Sequence, residues 1–331
     1  MINKIPDSFY EKLKQCQQEK SEVLDFSPED WHDDNEKLSS IPSEVFELEH
    51  LEYLELRNNN ITEIPEQISK LSKLEQLILE RNKIDKIADS ICQLENLFEL
   101  DLSLNKINYI PECFTEIANL KYLRLGVNYI EFIPKSIIKL SKIDCLDLSC
   151  NEIVNVPYYL FQISNLKCLC LADNKIKDIK LKNSNCDKIN SLDLSRNLLT
   201  TIPEIIFSLS SLESLYLYDN NISEIPEKVS EMKKLKKLYL GNNKITKINQ
   251  TLFNLSNLEI LDLSHNQIKN IPAHINENFT LQCLLLNHNL IKNIPNSIYQ
   301  LKNLKEFEIH HNQIDEISIK KMREYIKNNS S

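Results

Sequence analysis

Apolar and polar positions along the chain follow one pattern that recurs every 23 residues. The first complete copy, residues 51–61, reads LEYLELRNNNI, with apolar side chains at Leu51, Leu54, Leu56 and Ile61. A fixed period of about 20 to 50 residues is the signature of a stacked repeat array. One asparagine marks each copy: Asn59, Asn82, Asn105, Asn128, Asn151, Asn174, Asn197, Asn220, Asn243, Asn266, Asn289 and Asn312.

The alternation within each copy predicts a β-strand with one buried face. Leu54 and Leu56 are expected to point inward, whereas Tyr53, Glu55 and Arg57 are expected to point outward. The asparagine that follows carries two donors and an acceptor, so it can pair backbone groups where the chain leaves the strand. Stacked copies therefore predict a buried ladder of amides. Because the chain has only two glycines, we expect asparagine to supply the bends.

A second apolar set follows the asparagine, as in ITEIPEQISKL over residues 61–71. Proline is tolerated at the first position of a helix, and Ile64, Ile68 and Leu71 then fall on one face of a short helical turn. One such repeat is too small to bury its own apolar face, so neighbouring copies must stack into a continuous core. Because the strand is narrower than the helical layer, we expect the stack to curve, with a parallel sheet on its inner side.

The motif LxxLxLxxNxI followed by Ile-Pro resembles the leucine-rich repeat family over roughly residues 38–317. In its 23-residue form it is similar to intracellular Ras-group-type repeats and to stand-alone repeat proteins that intracellular bacteria deliver into host cells. The resemblance implies an α/β fold: a curved right-handed solenoid of twelve full repeats, with a concave parallel β-sheet, short helices or 3-10 turns on the convex side, and helical caps at both ends. It also implies that exposed strand positions on the concave face carry recognition.

Residues 1–37 are predicted to form the N-terminal cap. A helix begins after Pro6 and is followed by a strand near residues 23–27. The helix places three apolar residues on one face: Phe9, Leu13 and Cys16. An insertion of seven residues containing Trp31 then precedes the regular register. Trp31 either plugs the open end of the core or is an exposed binding anchor, since tryptophan is enriched in hot spots.

Two further segments depart from the regular repeat. Residues 179–189 lack the proline and carry Asn183 and Cys186 at positions that are elsewhere apolar, which indicates either a degenerate repeat or a second contact surface or flexion point. Residues 318–331 are predicted to form a C-terminal capping helix and tail. This helix aligns Ile319, Met322 and Ile326 on one face.

Composition excludes several kinds of partner. The net charge of −9 argues against nucleic acid and anionic membranes, and no stretch approaches the roughly 18 apolar residues of a membrane span. The N-terminus has no apolar signal core. Nine cysteines that do not cluster at the ends predict free thiols. We therefore expect a cytosolic site of action, in the host cytosol if the chain is secreted without a cleaved signal peptide.

Signatures of catalysis are absent from the sequence. Two glycines cannot form a glycine-rich phosphate loop, and no cysteine is followed six positions later by arginine. There is neither an HExxH motif nor a nucleophile elbow. We therefore predict a protein that is not an enzyme and that has no cofactor.

Two groups of side chains have the chemistry of metal ligands. Cys168 and Cys170 flank the inward Leu169, and Cys145 lies one repeat earlier, so three thiols could bind a soft metal. No fourth ligand is evident. The second group comprises three histidines at one repeat position and a fourth beside them: His265, His288, His311 and His310. Such a column binds a metal, responds to pH or is simply solvated, and the last is the simplest interpretation, so no metal is assigned.

Large side chains occupy exposed strand positions where small polar ones would serve solubility. In the C-terminal half they are Tyr216, Tyr218, Tyr239, Lys237, Ile260 and Leu285. Tyrosine offers wide contact area with a polar tip and is enriched in hot spots. A second patch in the N-terminal half consists of Tyr53, Arg57, Ile78, Arg81, Leu104, Tyr122, Arg124 and Val127, rimmed by Glu55, Glu80 and Glu99. Because tyrosine and isoleucine are also good strand formers, β-propensity alone is the alternative explanation.

The sequence thus predicts a protein-interaction module that holds a folded partner protein on its concave face. The resemblance suggests a secreted bacterial effector or an intracellular regulator that inhibits or recruits an enzyme. The partner's identity stays open (an enzyme or a small GTPase fits), and we expect a monomer. One alternative is a substrate adaptor or scaffold for a ubiquitin ligase or signalling complex. Another is a metal-binding protein that uses Cys145, Cys168 and Cys170.

Overall fold

The computed structural model describes residues 5–28, 36–180 and 188–329. Within those residues, no helix combines the length and the apolar character that crossing a bilayer requires. The chain divides into two compact units. The first comprises Met1–Val154 and Tyr159–Leu169, and the second comprises Asn155–Tyr158 and Cys170–Ser331.

The first unit begins with a helix and continues with one strand per repeat. Its elements are α1 (Asp7–Glu19), β1 (Val23–Asp25), β2 (Tyr53–Glu55), β3 (Gln76–Ile78), β4 (Glu99–Asp101), β5 (Tyr122–Arg124), β6 (Cys145–Asp147) and the start of β7 (Cys168–Cys170). The strands from β1 to β6 pair in parallel. Leu77 lies opposite Leu100, 23 positions later, whereas Leu24 lies opposite Leu54, 30 positions later. The difference confirms the predicted insertion of seven residues.

The second unit has the same construction. Its elements are β8 (Ser191–Asp193), β9 (Ser214–Tyr216), β10 (Lys237–Tyr239), β11 (Ile260–Asp262), β12 (Cys283–Leu285), β13 (Glu306–Glu308) and α2 (Glu316–Asn329). These strands also pair in parallel with a constant offset of 23 residues, as Leu215 with Leu238. The predicted parallel sheet with one strand per repeat is therefore confirmed in each unit.

Short 3-10 turns follow most strands. They span Ser43–Glu47, Glu66–Lys70, Asp89–Gln93, Glu112–Glu116, Lys135–Lys139, Tyr158–Gln162, Glu204–Ser208, Glu227–Glu231, Gln250–Asn254, Ile275–Glu277 and Asn296–Gln300. Most of them begin directly after a proline, such as Pro65. Ala88 takes the proline position with the same extended backbone (φ −68°, ψ 142°), so the chain path survives the substitution. Two two-residue strands, Glu63–Ile64 and Lys86–Ile87, pair beside the turns.

The core is a stack of leucine and isoleucine layers, one per repeat. In a representative repeat Leu56, Ile61, Ile64, Ile68 and Leu71 are all buried. Burying one such side chain stabilises the fold by about 1.5 to 3 kcal/mol, and each layer is closed only by its neighbours. The inward and turn positions that the sequence predicted to be apolar therefore supply the core.

The asparagines form the predicted ladder between repeats. Asn82 Nδ2 donates to the carbonyl oxygens of Leu56 (2.9 Å) and Leu79 (3.0 Å), and its Oδ1 accepts from the backbone N–H of Ile61 (3.0 Å). Asn243 makes the equivalent bonds in the second unit. Each of these two amides thus pairs with at least three backbone groups of its own and the preceding repeat.

The left-handed backbone that turns the chain out of each strand does not fall on the asparagine. It falls on the preceding residue, and these residues have φ between 50° and 59°: Asn58, Arg81, Leu104, Val127, Cys150, Asp173, Arg196, Asp219, Asn242, His265, His288 and His311. The prediction that asparagine supplies the bend is therefore wrong in position, because the amide is already committed to the ladder.

The two glycines allow side chains of the next repeat to come close to the backbone. They do not form the bend, since neither has a positive φ. A Cβ atom on Gly126 would lie 3.0 Å from Ser149 Oγ and 3.2 Å from Asp147 Oδ2. A Cβ atom on Gly241 would lie 3.0 Å from Asp262 Oδ2. Glycine therefore leaves room for the aspartate of the next strand.

The N-terminal cap follows its prediction over the described residues. In helix α1, Phe9, Leu13 and Cys16 are buried, and the Phe9 ring packs edge-on against Phe26 with centroids 5.1 Å apart. The helix thereby covers the first strand of the sheet. The prediction for Trp31 lies outside the described residues, as do those for Asn183 and Cys186.

The C-terminal cap is helix α2, which begins at Glu316. Asp315 starts it, because its carboxylate accepts bonds from the backbone N–H (2.9 Å) and hydroxyl (2.7 Å) of Ser318. Met322 is buried and Ile319 is half-buried, as the predicted apolar face requires. The side chain of Ile326 lies outside the described residues.

One disulfide corrects the prediction of free thiols. Cys92 and Cys113 are bonded, with their Cα atoms 5.7 Å apart, and they join two successive 3-10 turns of the first unit. Their separation of 21 residues and similar place in consecutive repeats bring them within bonding distance. This bond removes the argument from free thiols for a cytosolic site of action, which stays a prediction.

Candidate functional site

The exposed face of the second unit's sheet carries a row of side chains from the third residue of each strand. In order across β8 to β12 they are Asp193, Tyr216, Tyr239, Asp262 and Leu285. The second residue of each strand, such as Leu215 or Leu238, is buried in the core. Period-2 alternation therefore fixes which side chains face out.

Tyr216 and Tyr239 stack within this row. Their ring centroids lie 4.8 Å apart and their planes differ by 4°. Parallel in-register pairing places the two Cα atoms opposite each other, and strand spacing of about 4.8 Å matches ring stacking. Burial, followed by the neighbouring Tyr216, Cys283 and Asp262, raises the pKa of Tyr239, so its hydroxyl stays protonated.

The phenol and ammonium groups of this cluster are not paired with other described residues of the chain. Among the described residues, the phenol oxygens of Tyr216 and Tyr239 and the ammonium group of Lys237 have no hydrogen-bond or ion-pair partner. Tyr218 differs, since the Arg196 guanidinium lies 5.9 Å from its ring centroid. The cluster therefore offers both wide aromatic surface and unused donors.

Ile260 and Leu285 extend the cluster on its apolar side. Ile260 lies opposite Lys237 on one neighbouring strand and Cys283 on the other, and it is half-buried. Leu285 is half-buried and lies opposite Asp262. We call the six predicted residues of this unit the tyrosine face: Tyr216, Tyr218, Tyr239, Lys237, Ile260 and Leu285. The sheet brings all six together.

The aspartates of the LDLS segments have a structural role. Asp193 Oδ1 accepts the backbone N–H of Ser195 at 2.9 Å, and Asp262 Oδ1 accepts that of Ser264 at 2.9 Å. Each pairs a backbone group beyond the strand end. Their other oxygens still place negative charge on both sides of the stacked tyrosines.

The predicted patch of the first unit is arranged differently, because its charges pair with each other. The Tyr53 hydroxyl donates to the Glu55 carboxylate, with which Arg57 also forms an ion pair, and Glu55 is only 7% exposed. Burial and then the bond to Glu55 raise the pKa of Tyr53 to about 12. Arg57 also lies 3.9 Å from Glu80. Glu55 was expected to point outward, and it does so beneath this cover of side chains.

Three further residues of that patch are also engaged or covered: Tyr122, Arg124 and Ile78. Arg124 pairs with Glu99, lies 3.9 Å from Asp101 and sits over the Tyr122 ring at 5.9 Å. Ile78 is only 5% exposed, so its expected exposure is wrong. Glu55 and Asp101 flank it on the adjacent strands and cover it.

Arg81, Leu104 and Val127 adopt the left-handed backbone that follows the strands. The sequence could not show this constraint, because these residue types rarely adopt positive φ. Their identity therefore reflects something other than backbone preference. Arg81 and Val127 are exposed, and Leu104 is half-buried.

The cysteines do not form a described three-ligand site. Cys145 is half-buried, and a hydrogen bond with Cys168, followed by burial, raises its pKa far above the usual range. Among the residues the structure describes, the group of three ligand side chains close enough to share an ion is His288, His310 and His311.

The histidines form a column in the second unit. The His265 and His288 rings stack at 4.1 Å, and the His288 and His311 rings at 4.2 Å. Partial desolvation and the charges of the neighbouring histidines lower the pKa of His288. The column predicted from the 23-residue spacing is therefore present.

Comparisons with known proteins identify the repeats in both units. A family model described as leucine-rich repeat region matches residues 21–117, and one described as leucine rich repeat matches residues 187–244 and 233–277. No curated protein gives a significant match. The family models thus cover repeats on both sides of the irregular segment.

Solved structures give the same result. A leucine-rich-repeat protein of Leptospira interrogans is 29% identical with a TM-score of 0.82, over 88% of this chain and 81% of that one. The ectodomain of the Arabidopsis thaliana receptor kinase GASSHO1/SCHENGEN3, in complex with Casparian strip integrity factor 2, is 31% identical with a TM-score of 0.72. That match covers 83% of this chain, which spans only 34% of the receptor chain.

An internalin of Listeria monocytogenes shares the fold alone, at 23% identity and a TM-score of 0.69, over 95% of this chain and 92% of that one. Proteins of this fold commonly serve as protein-interaction modules. The 23-residue register, the asparagine ladder and the matches in both units lead to one conclusion: the chain belongs to the leucine-rich repeat family.

Proposed function

We propose that this protein holds a folded partner protein on the tyrosine face of its second unit, and that it inhibits or recruits that partner. The observation that carries the proposal is the stacked pair Tyr216 and Tyr239, with Lys237 on the same strand as Tyr239. Rigid aromatic rings with unused polar ends are characteristic of binding hot spots. In the first unit, by contrast, Arg57 and Arg124 of the predicted patch pair with acidic residues of the same chain.

The chemistry of the face selects the partner's surface. Asp193 and Asp262 flank the two tyrosines, and the chain carries a net charge of −9. An arginine or lysine of the partner can stack on a phenol ring and pair with one of these carboxylates. We therefore expect the partner to present a basic contact surface, which electrostatic attraction also helps to steer.

The relatives support a protein or peptide ligand. The receptor ectodomain from Arabidopsis thaliana is in complex with Casparian strip integrity factor 2, and the receptor kinase HAESA is in complex with a peptide hormone and a co-receptor. We also propose that the chain is a secreted bacterial effector or an intracellular regulator; similarity to a leucine-rich-repeat protein of Leptospira interrogans supports only the bacterial character.

The test is affinity capture followed by measurement of the dissociation constant. Wild type and a Tyr216→Ala/Tyr239→Ala variant would capture proteins from host and source-organism lysates, and the retained proteins would be identified by mass spectrometry. Hot-spot tyrosines contribute about 2 kcal/mol or more each, so each single substitution should weaken binding about 30-fold. The matched control is Tyr109→Ala/Tyr129→Ala, since these two tyrosines are exposed but lie outside the strands.

Two results would contradict the proposal. One is a partner bound equally well by wild type and the Tyr216→Ala/Tyr239→Ala variant. The other is a partner lost equally from the control variant. Loss from a Tyr53→Ala/Tyr122→Ala variant alone would move recognition to the first unit.

A further inference from the structure

The last repeats of the second unit carry four imidazoles in mutual contact. His265, His288 and His311 stack ring on ring, and His310 meets His288 edge-on with centroids 5.6 Å apart. His310 also lies edge-on to His311 at 5.1 Å. Three of these side chains, His288, His310 and His311, each offer one ligand atom within 4.8 Å of the others.

The backbone holds the stacked rings in place. His265, His288 and His311 all have the left-handed φ of 52° to 56°. The backbone N–H of His288 donates to the carbonyl oxygen of His310 at 3.0 Å, which ties neighbouring repeats together. The residue after each of these histidines is a ladder asparagine, so the ring positions depend on bonds inside the core.

Glu308 orients the fourth imidazole. Its Oε2 atom lies 3.0 Å from His310 Nδ1. A carboxylate on one ring nitrogen keeps the proton there and leaves the other nitrogen with its lone pair, which is the usual arrangement around a histidine that binds a metal. His310 therefore keeps Nε2 as its available ligand atom.

The ligand atoms are close enough for a metal once the His288 and His311 rings rotate out of their stack, because stacked imidazoles direct their in-plane lone pairs in parallel. Zinc–nitrogen bonds of about 2.0–2.1 Å in tetrahedral geometry place two ligand nitrogens about 3.4 Å apart. The three side chains are exposed, so rotation about their side-chain torsions can reduce a separation of up to 4.8 Å. Water fills the fourth position of such an open three-ligand site.

We propose that His288, His310 and His311 bind one divalent transition-metal ion of the zinc type, with Glu308 as a positioning residue. Imidazole ligands suit zinc, nickel and copper, whereas calcium and magnesium require oxygen ligands. The site lies on β13 and the bends that follow β12 and β13. It needs no bound partner, so it stands or falls independently of the tyrosine face.

Zinc binding to protein without an affinity tag tests the proposal. Isothermal titration with ZnCl₂, checked by elemental analysis after dialysis, should give one ion per chain, and MgCl₂ should give no binding. His288→Asn, His311→Asn and His310→Gln should each weaken zinc binding at least about tenfold. Asparagine tolerates the left-handed backbone, so the two His→Asn variants keep the fold. Thermal unfolding of each metal-free variant checks this.

Two further variants locate the ligands. His265→Asn is the matched control, because His265 has the same backbone conformation and stacks on His288 but is not one of the three ligands. It should leave zinc affinity unchanged. Glu308→Gln should weaken zinc binding about tenfold or more without changing the stoichiometry.

Three outcomes would overturn the proposal. The first is that wild type shows no zinc binding up to millimolar metal. The second is that a His288→Asn/His310→Gln/His311→Asn triple variant binds zinc as tightly as wild type. In the third, His265→Asn would weaken binding as much as His288→Asn, which would show that a non-specific imidazole column holds the metal.

Discussion

Tyr216 and Tyr239 lie opposite each other on neighbouring parallel strands, and their rings stack at 4.8 Å with nearly parallel planes. The constant 23-residue offset enforces this contact, because any slip of register would separate the two side chains. The stacked pair is therefore a property of the folded array as well as part of the proposed binding surface.

The stacked pair should contribute measurably to stability. In a double-mutant cycle with Tyr216→Ala and Tyr239→Ala, the coupling free energy of unfolding should be about 1 kcal/mol, as for other aromatic pairs. Urea unfolding would measure it. Tyr216→Ala combined with Tyr299→Ala is the control, because Tyr299 lies on a 3-10 turn several repeats away, so these effects should be additive. Additivity of the Tyr216 and Tyr239 effects would contradict the coupling.

Removing one rung of the asparagine ladder should be costly. Asn105→Ala would leave the backbone N–H of Ile84 without a partner in a buried site. It would also remove one of two amide donors from the carbonyl oxygens of Leu79 and Leu102, which keep the bonds from Asn82 and Asn128. The expected loss is about 2 kcal/mol in the free energy of unfolding, measured by urea denaturation.

Asn312→Ala is the matched control for the ladder. Asn312 makes the same three bonds at the end of the array, with Ile291, Leu286 and Ile309, but it is only partly buried. Water can replace its side chain, so the loss should be about 1 kcal/mol or less. Equal losses for Asn105→Ala and Asn312→Ala would show that burial does not set the cost.

The Cys92–Cys113 disulfide should stabilise the first unit. It closes a loop of 21 residues, for which chain entropy predicts about 3 kcal/mol. A reducing agent should therefore lower the midpoint of thermal unfolding of wild type, and it should leave a Cys92→Ser/Cys113→Ser variant unchanged. Mass spectrometry of the non-reduced protein would confirm the link. Reductant sensitivity of the double variant would assign the effect to another bond.

Val127 should destabilise its own bend. It holds a φ of 56° and is 43% exposed, so it has the cost of the left-handed backbone with little burial in return. Because asparagine tolerates this region, Val127→Asn should raise the free energy of unfolding by about 1 kcal/mol. Asn58→Val, at the same position of an earlier repeat (φ 59°), should lower it by a similar amount. Changes of the same sign in both variants would contradict the backbone explanation.

Tyr53 should be a late-titrating phenol. Its pKa is raised to about 12, chiefly by burial and then by the bond to Glu55. The unfolded phenol has a pKa of about 10, so the contribution of Tyr53 to stability is complete below pH 10 and is lost as the pH rises toward 12. Ultraviolet absorbance of phenolate in wild type and Tyr53→Phe should differ by one phenol that titrates near pH 12. A difference that titrates near pH 10 would contradict the shift.

Much of the candidate site could be predicted because each repeat fixes which strand positions face outward. The spacing of Tyr216 and Tyr239 is 23 residues, so a parallel array had to place them side by side. The sequence could not show that Ile78 is covered while Ile260 is half-buried, because the neighbours across the sheet decide exposure. Nor could it show that Arg57 and Arg124 are paired within the chain.

The sequence by itself determined the repeat, its strand and turn, and the ladder of asparagines, because these depend on local alternation and on one constant period. The tertiary structure alone decided three features. It placed the bend on the residue before the asparagine, joined Cys92 to Cys113, and set the edge-on contact of His310 with His288 of the preceding repeat. Each depends on contacts between different repeats, which form only when the repeats stack.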